Sequence, residues 1–123
     1  MPPPTPSPSP AAWGACGGLR ADARVAAFAR ALLANGKLVA AICASPLVLS
    51  AAGILADRRA TCYPGLEDEL DCREFVPDEA VVEDRSVVTS QGPGTTFAFA
   101  LHLLARLAGD DAAAEVAGGM LLR

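Results

Sequence analysis

The sequence predicts an α/β domain whose layers surround a mainly parallel sheet. Residues 38–42 are apolar without alternation, which is typical of a strand buried on both faces of a parallel sheet. Helix-like and strand-like stretches follow one another along the chain, as expected of an α/β layered fold. The chain has 123 residues, of which 52% are hydrophobic, and this is enough for one domain with a real core.

The beginning of the chain is too rich in proline to build a core. Six of the ten prolines fall within residues 1–10, a composition typical of extended polyproline. We therefore expect a disordered tail over residues 1–13 and the folded domain over residues 14–123. The tail has neither the basic start of a signal peptide nor the arginines of a mitochondrial presequence, so we predict a cytoplasmic location and leave an organelle open.

Charge and cysteine usage exclude several classes of function. The formal net charge is −4 and the longest basic run is Arg58-Arg59, so neither nucleic acid nor an anionic membrane is expected as a primary partner. The cysteines form no CxxC pair and no Cys/His spacing of a zinc site, so we expect no metal. We interpret them as thiols in a reducing compartment. The four cysteines are Cys16, Cys43, Cys62 and Cys72.

The first helix and the first strand have clear boundary signals. Apolar residues recur at helical spacing over residues 22–34, where Asp22 can cap the start and Asn35-Gly36 supplies a stop. The apolar strand 38–42 follows directly. We therefore predict a helix and a buried strand in this order.

Cys43 lies at the corner between that strand and the next helix. Ser45 offers an N-cap oxygen, and Pro46 suits the first helical position. A thiol held there faces the positive end of a helix dipole, which favours the thiolate. Strand, sharp turn, nucleophile and helix form the order of a nucleophile elbow. An ordinary buried cysteine is the plain alternative, whereas a membrane span is disfavoured because Pro46 interrupts an alanine-rich run.

The middle of the chain alternates short elements with turns. Residues 46–52 predict a helix that ends near Gly53, and residues 59–63 predict a strand. The acidic residues 67–69 indicate a solvated surface rather than a site. Residues 80–83 and 86–89 then predict a hairpin whose turn is Asp84-Arg85.

Two helices are predicted at the end of the chain. Residues 91–96 turn the chain into the first of them, with Thr95 as a plausible cap, and a last helix runs from Asp110 or Asp111 towards Met120. His102 lies off the apolar face of the first helix, which favours a solvent or interface position over catalysis. The residues of that face are Phe97, Leu101, Leu104 and Ala108.

Four motifs in order resemble the ThiJ/PfpI superfamily, specifically its parkinsonism-linked DJ-1 subfamily in plant and bacterial forms. They are residues 38–46 (LVAAICASP), 60–64 (ATCYP), 87–97 (VVTSQGPGTTF) and 121–123 (LLR). The resemblance runs from about Leu19 to Arg123. It implies a flavodoxin-like sandwich within a class I glutamine amidotransferase-like domain, usually a homodimer without a cofactor.

The resemblance also implies a site. Cys43 would be the nucleophile that attacks small dicarbonyls such as methylglyoxal, and the backbone N–H of Ala44 would help to hold the oxyanion. Tyr63 would line the pocket or donate its hydroxyl, and the loop of Pro93 would approach the same pocket. A core aromatic for Tyr63 and a pure turn for residues 92–94 remain equally open.

The sequence departs from the family pattern on its N-terminal side. Family members carry further strands, a helix and a proton-shuttling glutamate there, and a site without that carboxylate would lose roughly a hundredfold to ten-thousandfold in rate. Strand 38–42 would also expose an apolar edge. We therefore expect the truncated polypeptide to aggregate, to oligomerise or to be a fragment of a longer protein, and a monodisperse monomer with a cooperative melt would contradict this.

Taken with the resemblance, the elbow predicts a cofactor-independent, cysteine-based glyoxalase or deglycase that acts on methylglyoxal-type dicarbonyls or their adducts, impaired by the truncation. Two alternatives stay open. One is a redox-sensing or chaperone-like protein in which Cys43 is oxidised rather than used in turnover. The other is an inactive fragment that keeps the motif.

Overall fold

The computed structural model of the chain describes residues 22–121. The predicted tail, Cys16 and residues 122–123 of the last motif lie outside this range. The helices are α1 (Ala23–Ala34), α2 (Pro46–Ala51), α3 (Thr96–Ala108) and α4 (Asp110–Gly119). The strands are β1 (Val39–Ile42), β2 (Arg59–Ala60), β3 (Glu74–Phe75), β4 (Val81–Asp84) and β5 (Val87–Ser90). Glu67–Glu69 and Pro93–Thr95 are 3₁₀ turns.

The strands of the described region form two small sheets with mixed pairing. β1, β5 and β4 form a three-stranded sheet in that order, and β2 pairs with β3 in the second sheet. β1 runs parallel to β5, with Val39 opposite Val87, whereas β4 runs antiparallel to β5. β2 and β3 are parallel. The α/β class is confirmed, and the one antiparallel pairing among these strands is the predicted hairpin.

The core lies between the sheet and the helices α1 and α2. Val39 and Ala41 of β1 are buried there together with Leu47 of α2 and Leu55, both of which have no exposed surface. Ala40, which alternates with them, is exposed. Within residues 22–121, β1 is an edge strand, as the departure from the family pattern predicts. Its burial alternates along the strand, so the expectation of a strand buried on both faces is wrong.

α1 begins as the sequence predicts, whereas only part of the predicted start of α2 is present. The Asp22 carboxylate accepts the backbone N–H of Arg24 at 2.9 Å and caps α1. Pro46 occupies the first turn of α2, but the Ser45 side chain makes no capping hydrogen bond. Ser45 already has helical angles, φ −62° and ψ −29°, and a side-chain cap normally requires an extended residue. The predicted cap is therefore wrong.

The hairpin turn lies one residue later than predicted. Arg85 and Ser86 have φ of 49° and 71°, so they form the two-residue turn, and Asp84 belongs to β4. Two positive φ values match the right-handed twist of the flanking strands. The Asp84 carboxylate also accepts the backbone N–H of Arg59 at 2.9 Å, which fixes the end of β4 against β2.

β2 is shorter than the predicted strand over residues 59–63. It ends at Ala60 because the next backbone donors bond elsewhere. The N–H of Thr61 donates to the hydroxyl of Thr89 at 2.9 Å, and the N–H of Tyr63 donates to the carbonyl of Cys43 at 2.8 Å. The segment after β2 therefore folds against β5 and the Cys43 corner instead of extending the sheet.

The predicted apolar face of α3 is not buried in the described region. No residue of α3 is buried, and Phe97 is 55% exposed. Other large apolar side chains on the surface are Phe28, Leu107, Val116, Met120 and Leu121. The oligomeric state stays a prediction. None of the helices within residues 22–121 is long and apolar enough to cross a membrane.

A polar cluster, and not an apolar stripe alone, holds α3 to the sheet. Glu83 of β4 lies 2.7 Å from His102 Nε2, and Arg106 Nε donates to both of its carboxylate oxygens at 2.8 and 3.0 Å. Burial of the Glu83 carboxyl tends to raise its pKa, but hydrogen bonds from His102 and Arg106 outweigh burial, so its pKa lies below the ordinary value. His102 therefore connects α3 to β4 through a hydrogen bond.

This cluster predicts an acid-sensitive stability. A carboxyl whose pKa is lowered by folding stabilises the fold above its unfolded pKa, about 4.3, and loses that contribution as the pH falls through the lower folded value. We expect Glu83→Gln to lower the melting temperature near pH 7 and to flatten its fall below about pH 4.3. Thermal melts across pH measure both effects. Glu115→Gln on the exposed surface of α4 is the control, and equal pH profiles for the two variants would contradict the prediction.

Candidate functional site

The backbone of Cys43 forms a strained corner that is held on several sides. Its φ is +67°, a left-handed value that costs a non-glycine residue about 1–3 kcal/mol. Its N–H donates to the carbonyl of Ser90 at 3.2 Å, and its carbonyl accepts the N–H of Tyr63 at 2.8 Å. The Ser45 N–H donates to the carbonyl of Ile42 at 3.1 Å and closes the turn. The predicted order of strand, sharp turn, cysteine and helix is therefore present.

The Cys43 side chain is partly exposed, whereas the other described cysteines are poor thiolate sources. Burial raises the pKa of the Cys62 thiol to about 12, and Cys62 has no exposed surface. Burial, followed by the nearby Asp71 charge, raises the pKa of Cys72. Cys43, Cys62 and Cys72 are all free thiols. Cys43 and Cys72 are thus partly exposed to a small electrophile, whereas Cys62 is buried.

A cavity of about 210 Å³ lies between Tyr63 and the loop around Gly92, and Cys43 is not among the residues that line it. Tyr63, whose amide bonds to Cys43, forms one side, and the loop around Gly92 forms the other. The two sides approach closely, because a Cβ placed on Gly92 would lie 3.3 Å from Cδ2 of Tyr63. The lining residues are Tyr63, Pro64, Gln91, Gly92, Pro93, Gly94 and Thr95.

A pair of hydroxyl groups supports the loop that forms this wall. Ser90 Oγ and Thr95 Oγ1 lie 2.7 Å apart, and Ser90 Oγ also donates to the carbonyl of Ala80. Thr95 Oγ1 accepts the backbone N–H of Gly92 at 3.1 Å and that of Gln91 at 3.3 Å. The loop therefore receives its shape from side chains at both of its ends.

The structure places two of the four predicted site residues, Tyr63 and Pro93, in the lining of the cavity. Cys43 does not line it and is connected to it through the hydrogen bond between its carbonyl and the Tyr63 N–H, and Ala44 follows in a partly exposed position. The roles assigned to Cys43, Ala44, Tyr63 and Pro93 stay predictions. In residues 22–121 no group of three or more His, Cys, Asp or Glu side chains could hold a metal ion.

The sequence analysis missed Ser90 and Thr95 as residues that shape the site. Thr95 was predicted as a helix cap, but its side chain makes no capping bond to α3 and bonds to the loop instead. The signal that could have found the pair is a serine at a strand end followed by a threonine three residues after a glycine. Such a hydroxyl is well placed to bond to nearby backbone groups in a turn.

Comparison with known proteins shows one family. The sequence model described as the DJ-1/PfpI family matches residues 14–106. The Drosophila melanogaster protein dj-1beta is 36% identical over 114 residues, which are 92% of this chain and 61% of that protein. Its crystal structure superposes with a TM-score of 0.85 over 89% of this chain and 60% of that chain. The chain thus spans about three fifths of the length of this relative.

Two further relatives carry names that state an activity. A glutathione-independent glyoxalase of Caenorhabditis elegans is 43% identical over 79 residues, which are 63% of this chain and 41% of that protein. A deglycase of Pyrococcus abyssi is 35% identical over 82 residues, which are 66% of this chain and 49% of that protein.

The accessibility of Cys43 predicts selective alkylation. With limiting iodoacetamide near pH 8, we expect Cys43 to be modified first and Cys62 last, because Cys62 is buried and its pKa is about 12. Peptide mass spectrometry measures the modified fraction at each site, with denatured protein as the control in which the order disappears. Equal modification of Cys43 and Cys62 in the folded protein would contradict the described corner.

Proposed function

This chain belongs to the DJ-1/PfpI family, and on that premise we propose that it is a cofactor-independent, cysteine-based glyoxalase or deglycase. Its substrates would be methylglyoxal-type dicarbonyls or their adducts. The observation that carries the proposal is the partly exposed Cys43 on a left-handed corner, whose carbonyl accepts the N–H of the cavity-lining Tyr63. The names of the glyoxalase and deglycase relatives support the same chemistry.

The size of the cavity supports a small substrate. Its volume of about 210 Å³ is below the roughly 300–1,000 Å³ of pockets that hold drug-sized ligands. The cavity is therefore large enough for a three-carbon dicarbonyl.

The proposed reaction converts methylglyoxal and water into lactate without an external oxidant. The Cys43 thiolate attacks the aldehyde carbon, a C–S bond forms, and the oxyanion takes a proton to give a hemithioacetal. A proton then leaves the former aldehyde carbon and another reaches the ketone oxygen, which gives an enediol. The hydroxyl proton on the first carbon is lost as a proton reaches the second carbon, so the first carbon is oxidised to a thioester and the second is reduced to an alcohol. Water finally breaks the C–S bond of the thioester and releases lactate and the thiol.

The proton transfers are the weak part of this site. Among residues 22–121, those that line the cavity include no carboxylate, and the Thr95 hydroxyl already bonds to its own loop. The Tyr63 hydroxyl and water are left as proton carriers, with the Ala44 N–H as the proposed oxyanion donor. Without a carboxylate as general acid and base, we expect the rate to fall roughly a hundredfold to ten-thousandfold below that of a complete site.

Substitution of Cys43 tests the proposal. We expect the chain to form lactate from methylglyoxal slowly and Cys43→Ser to lower that rate at least about a thousandfold, because a hydroxyl is a much weaker nucleophile than a thiolate. An enzymatic lactate assay measures the rate. Cys72→Ser is the matched control and should keep the activity. Lactate formation that Cys43→Ser leaves unchanged would overturn the proposal.

Oxidation of Cys43 is a second candidate function. Burial raises the pKa of Cys62 and of Cys72, which disfavours both as sites of mild oxidation, whereas Cys43 is partly exposed on a strained corner. Two equivalents of hydrogen peroxide convert a thiolate into a sulfinate. We expect peptide mass spectrometry after mild peroxide to show two added oxygens at Cys43 and none at Cys62 or Cys72. Oxidation at Cys62 or Cys72 before Cys43 would contradict this candidate.

A further inference from the structure

We propose that Thr95 is a positioning residue whose hydroxyl sets the width of the cavity between Tyr63 and the loop around Gly92. The inference rests on the proposed function for its catalytic consequence, but its geometric part concerns only the described loop. Thr95 lines the cavity and belongs to the 3₁₀ turn Pro93–Thr95 that leads into α3. Its hydroxyl bonds back to Gly92, the residue that approaches the Tyr63 ring.

The proton count assigns a direction to each hydrogen bond of the hydroxyl pair. Ser90 Oγ–H donates to the carbonyl of Ala80, so its proton is already used. The contact of 2.7 Å between the two hydroxyl oxygens then requires the Thr95 proton, and because Thr95 Oγ1 also lies 3.0 Å from the carbonyl oxygen of Gly92, this proton is shared between two acceptors. Both lone pairs of Thr95 Oγ1 accept the backbone N–H groups of Gln91 and Gly92. Every donor and acceptor site of this hydroxyl is occupied.

The same residues connect the loop to the nucleophile. The backbone carbonyl of Ser90 accepts the N–H of Cys43 at 3.2 Å, while the side chain of Ser90 bonds to Thr95. The other wall is tied in the same way, since the Tyr63 N–H donates to the carbonyl of Cys43 at 2.8 Å. The distance between the two walls therefore depends on the Ser90–Thr95 contact.

Between Gly92 and Tyr63, its narrow point, the cavity has little room for an additional side-chain atom. Gly92 has φ of 173°, which any residue adopts, so backbone strain does not explain a glycine there. A Cβ at 3.3 Å from the Tyr63 ring is tighter than ordinary contact, and the ring would move by a few tenths of an ångström. A shift of that size matters for a substrate of a few heavy atoms, because productive geometry requires placement within about 0.5 Å.

The test compares small and bulky reagents in the full chain. We expect Thr95→Val to raise the KM for methylglyoxal roughly fivefold with a smaller change in kcat, the effect of losing one net hydrogen bond that shapes the site. The rate with phenylglyoxal relative to methylglyoxal should rise, because the released loop admits the larger side group. Thr95→Ser keeps the hydroxyl and should behave like the unchanged protein. Thr96→Val is the matched control, since the Thr96 hydroxyl makes one long contact of 3.4 Å.

Alkylation of Cys43 separates this inference from the proposed function. The readout is the rate of Cys43 alkylation by N-phenylmaleimide divided by the rate with iodoacetamide, and it can be measured in a protein that has no catalytic activity. We expect Thr95→Val to raise this ratio at least about threefold and Gly92→Ala to lower it. A changed ratio without any lactate formation would contradict the proposed function and support the positioning role. An unchanged ratio in both variants would overturn the positioning role. If Thr95→Val does not melt cooperatively, Ser90→Ala removes the partner hydroxyl and should shift the ratio in the same direction.

Discussion

The backbone hydrogen bonds of one residue, Cys43, join the chain segments that surround the candidate site. Its amide bonds to the end of β5 and its carbonyl bonds to the segment that follows β2. A left-handed conformation at a cysteine is unfavourable in isolation, so it persists because these neighbours determine it. Three segments that are distant in sequence consequently meet at one corner, and the cavity walls follow from that meeting.

The sequence predicted the elements that depend on local signals. Asp22 as a cap, Pro46 in the first turn of α2 and the hairpin near Arg85 all agree with the structure in kind. The errors occur where a distant group competes with the local preference. β2 ends early because the hydroxyl of Thr89, 28 residues further along, takes the N–H of Thr61. No local pattern within residues 59–63 contains that information.

For a similar reason, only some of the residues of the site could be predicted from the sequence. Cys43 stood out because an apolar strand and a helix start flank it, and Tyr63 and Pro93 followed from the family motifs. Ser90 and Thr95 resemble ordinary turn residues in the sequence, since serine and threonine are common wherever a chain changes direction. Their significance depends on the contact of 2.7 Å between them, which only the folded loop creates.

The way in which α3 is anchored also affects the cavity. The loop over residues 92–95 continues without a break into α3, and the far end of that helix is gripped through Arg106 by the carboxylate of Glu83. α3 is one continuous helix, so the Glu83 carboxylate on β4 fixes a helix whose first residue, about three turns from Arg106, follows the loop that lines the cavity. Protonation of the Glu83 carboxylate would weaken these hydrogen bonds, so the position of α3, and with it the end of the loop that lines the cavity, depends on pH.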